Sequence, residues 1–130
     1  MDILKLHERS DGSYLGALPL SSVPFPVKRV FFSSSGPNKD CQRGDHAHYE
    51  CEQVLVCLSG VIIIAYENKD TKGVVVLKPG QTFYHKQLEW VKVNFKEEKS
   101  VLLSLCSQEY NEDDYIRDYS TFLKALKGAR

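Results

Sequence analysis

Between Val54 and Leu77 the chain carries three short runs of β-forming residues, Val54-Leu55-Val56-Cys57-Leu58, Val61-Ile62-Ile63-Ile64-Ala65-Tyr66 and Val74-Val75-Val76-Leu77. Each is closed by a turn signal, Gly60, Asn68-Lys69-Asp70 or Lys78-Pro79-Gly80. β-Branched and aromatic side chains fit a pleated, half-buried surface, while proline and glycine preset the dihedrals of a tight turn. Short strands at even spacing, each reversed by such a turn, predict an all-β antiparallel jelly roll or barrel.

The flanking sequence continues the pattern. Ile3–Leu6 and Tyr14–Leu18 read as two strands of a hairpin around Ser10-Asp11-Gly12-Ser13, and Pro24 and Pro26 lead extended chain into Lys28–Phe32. Residues 33–42, with Gly36 and Pro37, read as a loop, and Thr82–His85, Glu89–Val93 and Ser100–Ser104 complete the strands. Only 113–127 carries helical spacing, with Ile116, Tyr119, Phe122, Leu123 and Leu126 apolar behind acidic Glu112-Asp113-Asp114. No repeat or linker divides the 130 residues, which are expected to form a single domain over 1–130 burying roughly two thirds of the unfolded surface.

Seventeen basic residues balance seventeen acidic ones without a long run of either sign, so neither a nucleic-acid footprint nor a polybasic membrane anchor is expected. The four cysteines form no C-x-x-C pair and read as free thiols. A polar N-terminus and apolar runs far shorter than a membrane span predict a soluble, cytoplasmic protein.

Chemistry concentrates in Arg43-Gly44-Asp45-His46-Ala47-His48 and the strand that follows. Two histidines two apart on a strand share one face of the sheet, because side chains alternate with period two. A neutral imidazole with an ordinary pKa near 6.5 suits reversible proton transfer. His46, His48, Gln53 and Gly60 stand at the spacing of the first cupin motif, with an amide where that motif has a carboxylate and Val91 where its third histidine is expected. Imidazole and carboxylate ligands supply transition-metal affinity, so a metal reading would need His85 as a third ligand beside His46 and His48.

Four stretches are similar to the metal-independent cupins that act as 3,4-ketoisomerases on dTDP-4-keto-6-deoxyglucose. They are Pro24–Val30, Arg43–His48, Glu52–Gly60 and Tyr110–Tyr119. The resemblance implies a cupin jelly-roll barrel with one C-terminal helix, no cofactor, and migration of a keto group between C4 and C3 of a dTDP-linked 4-keto-6-deoxy hexose. It implies His48 as the base at C3 and His46 as its partner, and a homodimer that exchanges the N-terminal hairpin, about 3–18. Arg43 and Arg29 are candidates to meet the diphosphate. Tyr84 or Trp90 is a candidate flat wall for a ring, and Gln53 joins the substrate-facing set. Arg117, among acidic neighbours, reads as structural.

The chain also departs from that family. Phe31 and Phe32 stand where tyrosines are common, Val91 follows the tryptophan in place of a histidine, Asp11 replaces an arginine, and Tyr49-Glu50 replaces a Lys-Lys pair. Two alternatives therefore stand beside the isomerase, a non-catalytic nucleotide-sugar-binding cupin and a metal-dependent cupin.

Overall fold

A computed structural model describes residues 3–128. Its strands are β1 (Lys5–Glu8), β2 (Tyr14–Ala17), β3 (Arg29–Ser34), β4 (Cys41–His48), β5 (Gln53–Ser59), β6 (Ile62–Glu67), β7 (Lys72–Leu77), β8 (Thr82–His85), β9 (Trp90–Phe95), β10 (Val101–Cys106) and β11 (Tyr115–Ile116), followed by α1 (Tyr119–Leu126). Every pairing is antiparallel. One sheet runs β3-β10-β5-β8, a second β11-β4-β9-β6-β7, and β1-β2 pair only with each other. The two larger sheets form the expected jelly roll, although they are not hydrogen-bonded into a closed cylinder.

Between the sheets lie Leu55, Cys57 and Leu102 from one and Ile62, Ile64, Val91, Val93 and Phe95 from the other. The outer faces are covered too. Val54, Val56 and Leu105 pack under Val23 and Phe25, while Ala47 and Trp90 pack under Ile116, Phe122 and Ala125. Cover on both sides explains why Val54–Cys57 is a continuous apolar run rather than an alternating one. Each such side chain contributes on the order of 1.5–3 kcal/mol of burial.

The structure corrects the boundaries of the C-terminal helix. Glu112–Asp114 form a 3-10 turn, Tyr115–Ile116 pair with β4, and helix begins only at Tyr119, where the Asp118 side chain accepts the Thr121 N–H at 3.0 Å. Helical spacing at 113–118 is overridden because Asp114 is buried, accepting the N–H groups of Glu50 at 2.8 Å and Cys51 at 3.0 Å. The predicted loop at 33–42 is shorter, since β3 extends to Ser34 and β4 starts at Cys41. β1 lies two residues later than its sequence pattern suggests.

Candidate active site

β4 carries the two histidines through a bulge. Its register with β9 shifts between Arg43 and His46, and Gly44 takes φ 67°, a conformation open to glycine at no steric cost. Beyond the bulge His46 lies opposite Val91 and turns inward, and His48 follows two residues later on the same face. Gln53 and His85 lie opposite each other on β5 and β8, on the inner face that Leu55 continues.

His46 Nε2 and His48 Nε2 are 3.1 Å apart, so one imidazole donates to the other. On its far side His48 Nδ1 stands 3.4 Å from Asp114 Oδ2, near enough to pair electrostatically but not aligned as a hydrogen bond. His85 completes a group of three rings, 5.6 Å from His48 and 6.1 Å from His46 between centroids. Burial, followed by the neighbouring His48 and His85, pulls the His46 pKa down to about 3. Burial, followed by His85, Arg29 and Arg117, does the same to His48. Both imidazoles are therefore neutral at pH 7.

The C-terminal segment supplies the other half of the site. Tyr115 lies opposite His48 in the β4-β11 pairing, and its ring sits 4.3 Å from His48 and 5.0 Å from His46. Arg117 lies over the Tyr115 ring at 4.3 Å and donates to Glu112 through Nε at 2.6 Å. Arg29 approaches from β3. It donates to Cys106 Sγ at 3.5 Å, lies over Phe31 and Tyr110, and, against its burial, has its pKa raised by Cys106 and Tyr115.

The sequence reading divides against this geometry. His46, His48, Arg29 and Gln53 reach the inner site. Arg43 is exposed at the start of the bulge, and the positive charges that bear on the imidazoles belong to Arg29 and Arg117. Trp90 is not brought to the histidines. Alternation with inward Val91 turns it outward, where it packs on Phe122 and donates to Asp45 Oδ1 at 2.7 Å. Tyr84 is likewise outward, opposite Val54, packed near Phe25 and bonded to Glu52. A cavity of about 520 Å³ borders Trp90 and Tyr119, but it lies mainly on that outer face and holds no imidazole.

Asp114 and Tyr115 went unassigned although they fall within the Tyr110–Tyr119 signature. A helical reading of that stretch hides the strand register that delivers them. Arg117 is ion-paired, as expected of a structural residue, yet it also caps the site. The thiols are free, and Cys51 is pulled down to about 6 by its hydrogen bond to Cys106 and by Ser107 despite its burial. Sequence alone gave no sign of that arrangement.

The third imidazole does not aim Nε2 at the other two. His46 and His48 direct Nε2 at each other, and His85 directs its own at the Glu89 carbonyl at 2.7 Å. His48, Cys51 and Asp114 bring donor atoms within 4.8 Å of one another, a grouping that could hold a metal ion, with both Asp114 oxygens also accepting backbone N–H groups.

Comparison with known proteins gives this geometry a family. The model described as FdtA: WxcM-like, C-terminal, matches residues 1–127. The chain belongs to the WxcM-like, C-terminal family. A TDP-4-oxo-6-deoxy-alpha-D-glucose-3,4-oxoisomerase of Aneurinibacillus thermoaerophilus is 32% identical over 118 residues, covering 90% of this chain and 84% of that protein. A 3,4-ketoisomerase from Helicobacter canadensis superposes with TM-score 0.83 at 30% identity, covering 97% and 95% of the two chains. The QdtA 3,4-ketoisomerase of Thermoanaerobacterium thermosaccharolyticum, a histidine-to-asparagine variant in complex with TDP-4-keto-6-deoxyglucose, superposes with TM-score 0.84 at 30% identity, covering 98% and 96%. These two ketoisomerases thus share this fold along nearly its whole length.

Proposed function

We propose that the protein is a 3,4-ketoisomerase of a dTDP-linked 4-keto-6-deoxy hexose, working without a metal. The observation that carries this reading is the hydrogen-bonded pair His46–His48, neutral at pH 7 and backed by Asp114. His48 takes the C3 proton. The electron pair left behind forms the C3–C4 double bond of an enediol, and proton delivery at C4 completes the transfer, with His46 as the neighbouring relay. Asp114 holds the His48 ring and favours the imidazolium formed when the proton arrives. Arg29 and Arg43 supply positive charge toward the sugar and diphosphate, and Gln53 lines the inner face. Trp90 and Tyr84 have no part in this reading.

A homodimer accompanies it. Among the described residues the β1-β2 hairpin pairs with no other strand, all eight of its strand residues are exposed, Leu15 is 67% exposed, and Phe32 on the edge strand β3 is 72% exposed. An isolated two-stranded hairpin is marginal in water, which favours its exchange onto a second copy. Light scattering is expected to give a dimer, and a monomer would remove this part. No helix among the described residues is long and apolar enough to cross a membrane. The proposed cytoplasmic location follows from that together with the nucleotide-linked substrate.

The decisive experiment is NMR of dTDP-4-keto-6-deoxyglucose in deuterated water with wild type and His48→Asn. Wild type is expected to form a 3-keto product and exchange the C3 proton, and His48→Asn to do neither while still binding dTDP. Tight dTDP binding by wild type, with neither turnover nor exchange, would instead establish a non-catalytic binding protein.

A further inference from the structure

Migration of a keto group between adjacent carbons moves two protons. One passes from C3 to C4, the other from the C3 hydroxyl to the oxygen on C4. The histidine pair accounts for the first. The proton that His48 takes from C3 is the one returned at C4, so the pair supplies none to the two sugar oxygens. A different group must meet the oxygens.

Three aromatic residues bear on the Arg29 guanidinium: it lies over the Phe31 and Tyr110 rings, and Tyr115 is among the groups that raise its pKa. Phe31 has no hydroxyl, and the Tyr110 hydroxyl donates outward to Glu112 Oε2 at 2.5 Å. Tyr115 alone of the three packs against both histidines, 4.3 Å and 5.0 Å away between ring centroids. Its ring is further fixed by Arg117 at 4.3 Å, so the phenol is held in place by three neighbours. A guanidinium is an electrostatic partner for negative charge that develops on a nearby oxygen.

From this juxtaposition we infer that Tyr115 is a catalytic residue, the acid and base for the two sugar oxygens, with Arg29 holding its phenolate. The inference rests on the ketoisomerase reading and deepens it. As His48 removes the C3 proton, the C3–H pair becomes the C3–C4 double bond and the carbonyl π pair moves onto the C4 oxygen, which takes the Tyr115 proton. In the second half the C3 hydroxyl returns its proton to the Tyr115 phenolate, C3 becomes the carbonyl, and the double-bond pair takes the proton at C4. The carbon proton and the oxygen proton each end one position along, and the enzyme is restored without any oxidant or reductant.

The test is Tyr115→Phe, which keeps the ring against His46, His48 and Arg117 and removes only the oxygen. With dTDP-4-keto-6-deoxyglucose, kcat is expected to fall roughly 10²- to 10³-fold, the range seen on losing one oxyanion donor. KM, dTDP affinity by calorimetry and the melting temperature are expected to stay near wild type. Exchange of the C3 proton with deuterated water falls in parallel, because the enediolate itself is less stable. Wild-type kcat and exchange in Tyr115→Phe would overturn the role of Tyr115 and leave the ketoisomerase reading intact. A parallel loss of fold or dTDP binding would also overturn it, showing the hydroxyl to be structural. A wild type that neither isomerises nor exchanges would overturn both readings together.

Discussion

His48 meets Asp114 through one ring nitrogen, 3.4 Å from the carboxylate, and His46 through the other, 3.1 Å away. The contact joins the eighth residue of β4 to the turn before β11, so the His48 ring is oriented by chain far from it in sequence. Asp114 also receives the amide protons of the segment leaving His48, which ties the orientation of the ring to the path of the backbone.

Asp114→Asn separates these two duties. The amide keeps one acceptor and presents a donor to an amide proton, so unfolding in urea is expected to show a loss of about 1–3 kcal/mol. With the anion gone, kcat is expected to fall roughly 10²-fold with KM little changed, in the range of a general-base contribution. Wild-type kcat would show that the carboxylate serves the fold alone.

The buried imidazoles predict how stability follows pH. His46 and His48 are pulled down to about 3 when folded, from the ordinary value of 6.5, so below 6.5 the unfolded chain binds protons that the folded chain refuses. Stability is therefore expected to be lost as pH falls from 6.5 toward 3, at up to roughly 1.4 kcal/mol per pH unit for each histidine. Urea midpoints at pH 7, 6 and 5 check this, and His46→Asn should flatten the slope.

The same values shape the rate. A base that stays deprotonated down to about 3 puts no acid limb near 6.5 on kcat/KM. A profile flat from pH 7.5 to 5.5, wherever the fold persists, is the expected result. A fall centred near 6.5 would mean that an exposed histidine is the base.

Trp90→Phe tests the correction made by the structure. It keeps a ring beneath α1 and removes the donor to Asp45 Oδ1. A loss of about 1–3 kcal/mol in stability with kcat unchanged is expected. A large rise in KM for the sugar nucleotide would return Trp90 to the site.

Gly60 makes a purely structural prediction. It turns β5 into β6 at φ 78°, and a Cβ there would stand 2.8 Å from the Ser100 backbone Cα. Gly60→Ala combines left-handed backbone with a backbone clash, and thermal unfolding should show a loss of at least about 1–3 kcal/mol.

The sheets were legible in the sequence because β-branched runs and glycine or proline turns act locally. Val54–Leu58, Val61–Tyr66 and Lys78-Pro79-Gly80 each specify their structure within a few residues. His46 and His48 were legible for the same reason, since a two-residue spacing on a strand determines a shared face. Trp90 and Tyr84 were misplaced because an aromatic side chain suits core and ligand wall equally. Only the phase of alternation, fixed by inward Val91 for one and outward Val54 for the other, tells them apart. Asp114 and Tyr115 were hidden by a helical spacing that continues through them. Their real conformation is dictated by β4, a partner that no local pattern reveals.

The pairing of β11 with β4 also sets an order of events during synthesis. Both sheets and the two histidines are translated before Asp114, Tyr115, Arg29's neighbour across the site, and Arg117 leave the ribosome. A nascent chain ending at Gln108 would hold every strand of the sandwich except β11, with its bases unoriented and one side of the centre open to water. On the ketoisomerase reading, the proposed centre is completed only when the final stretch of chain docks, and that stretch is the one an incomplete product would lack.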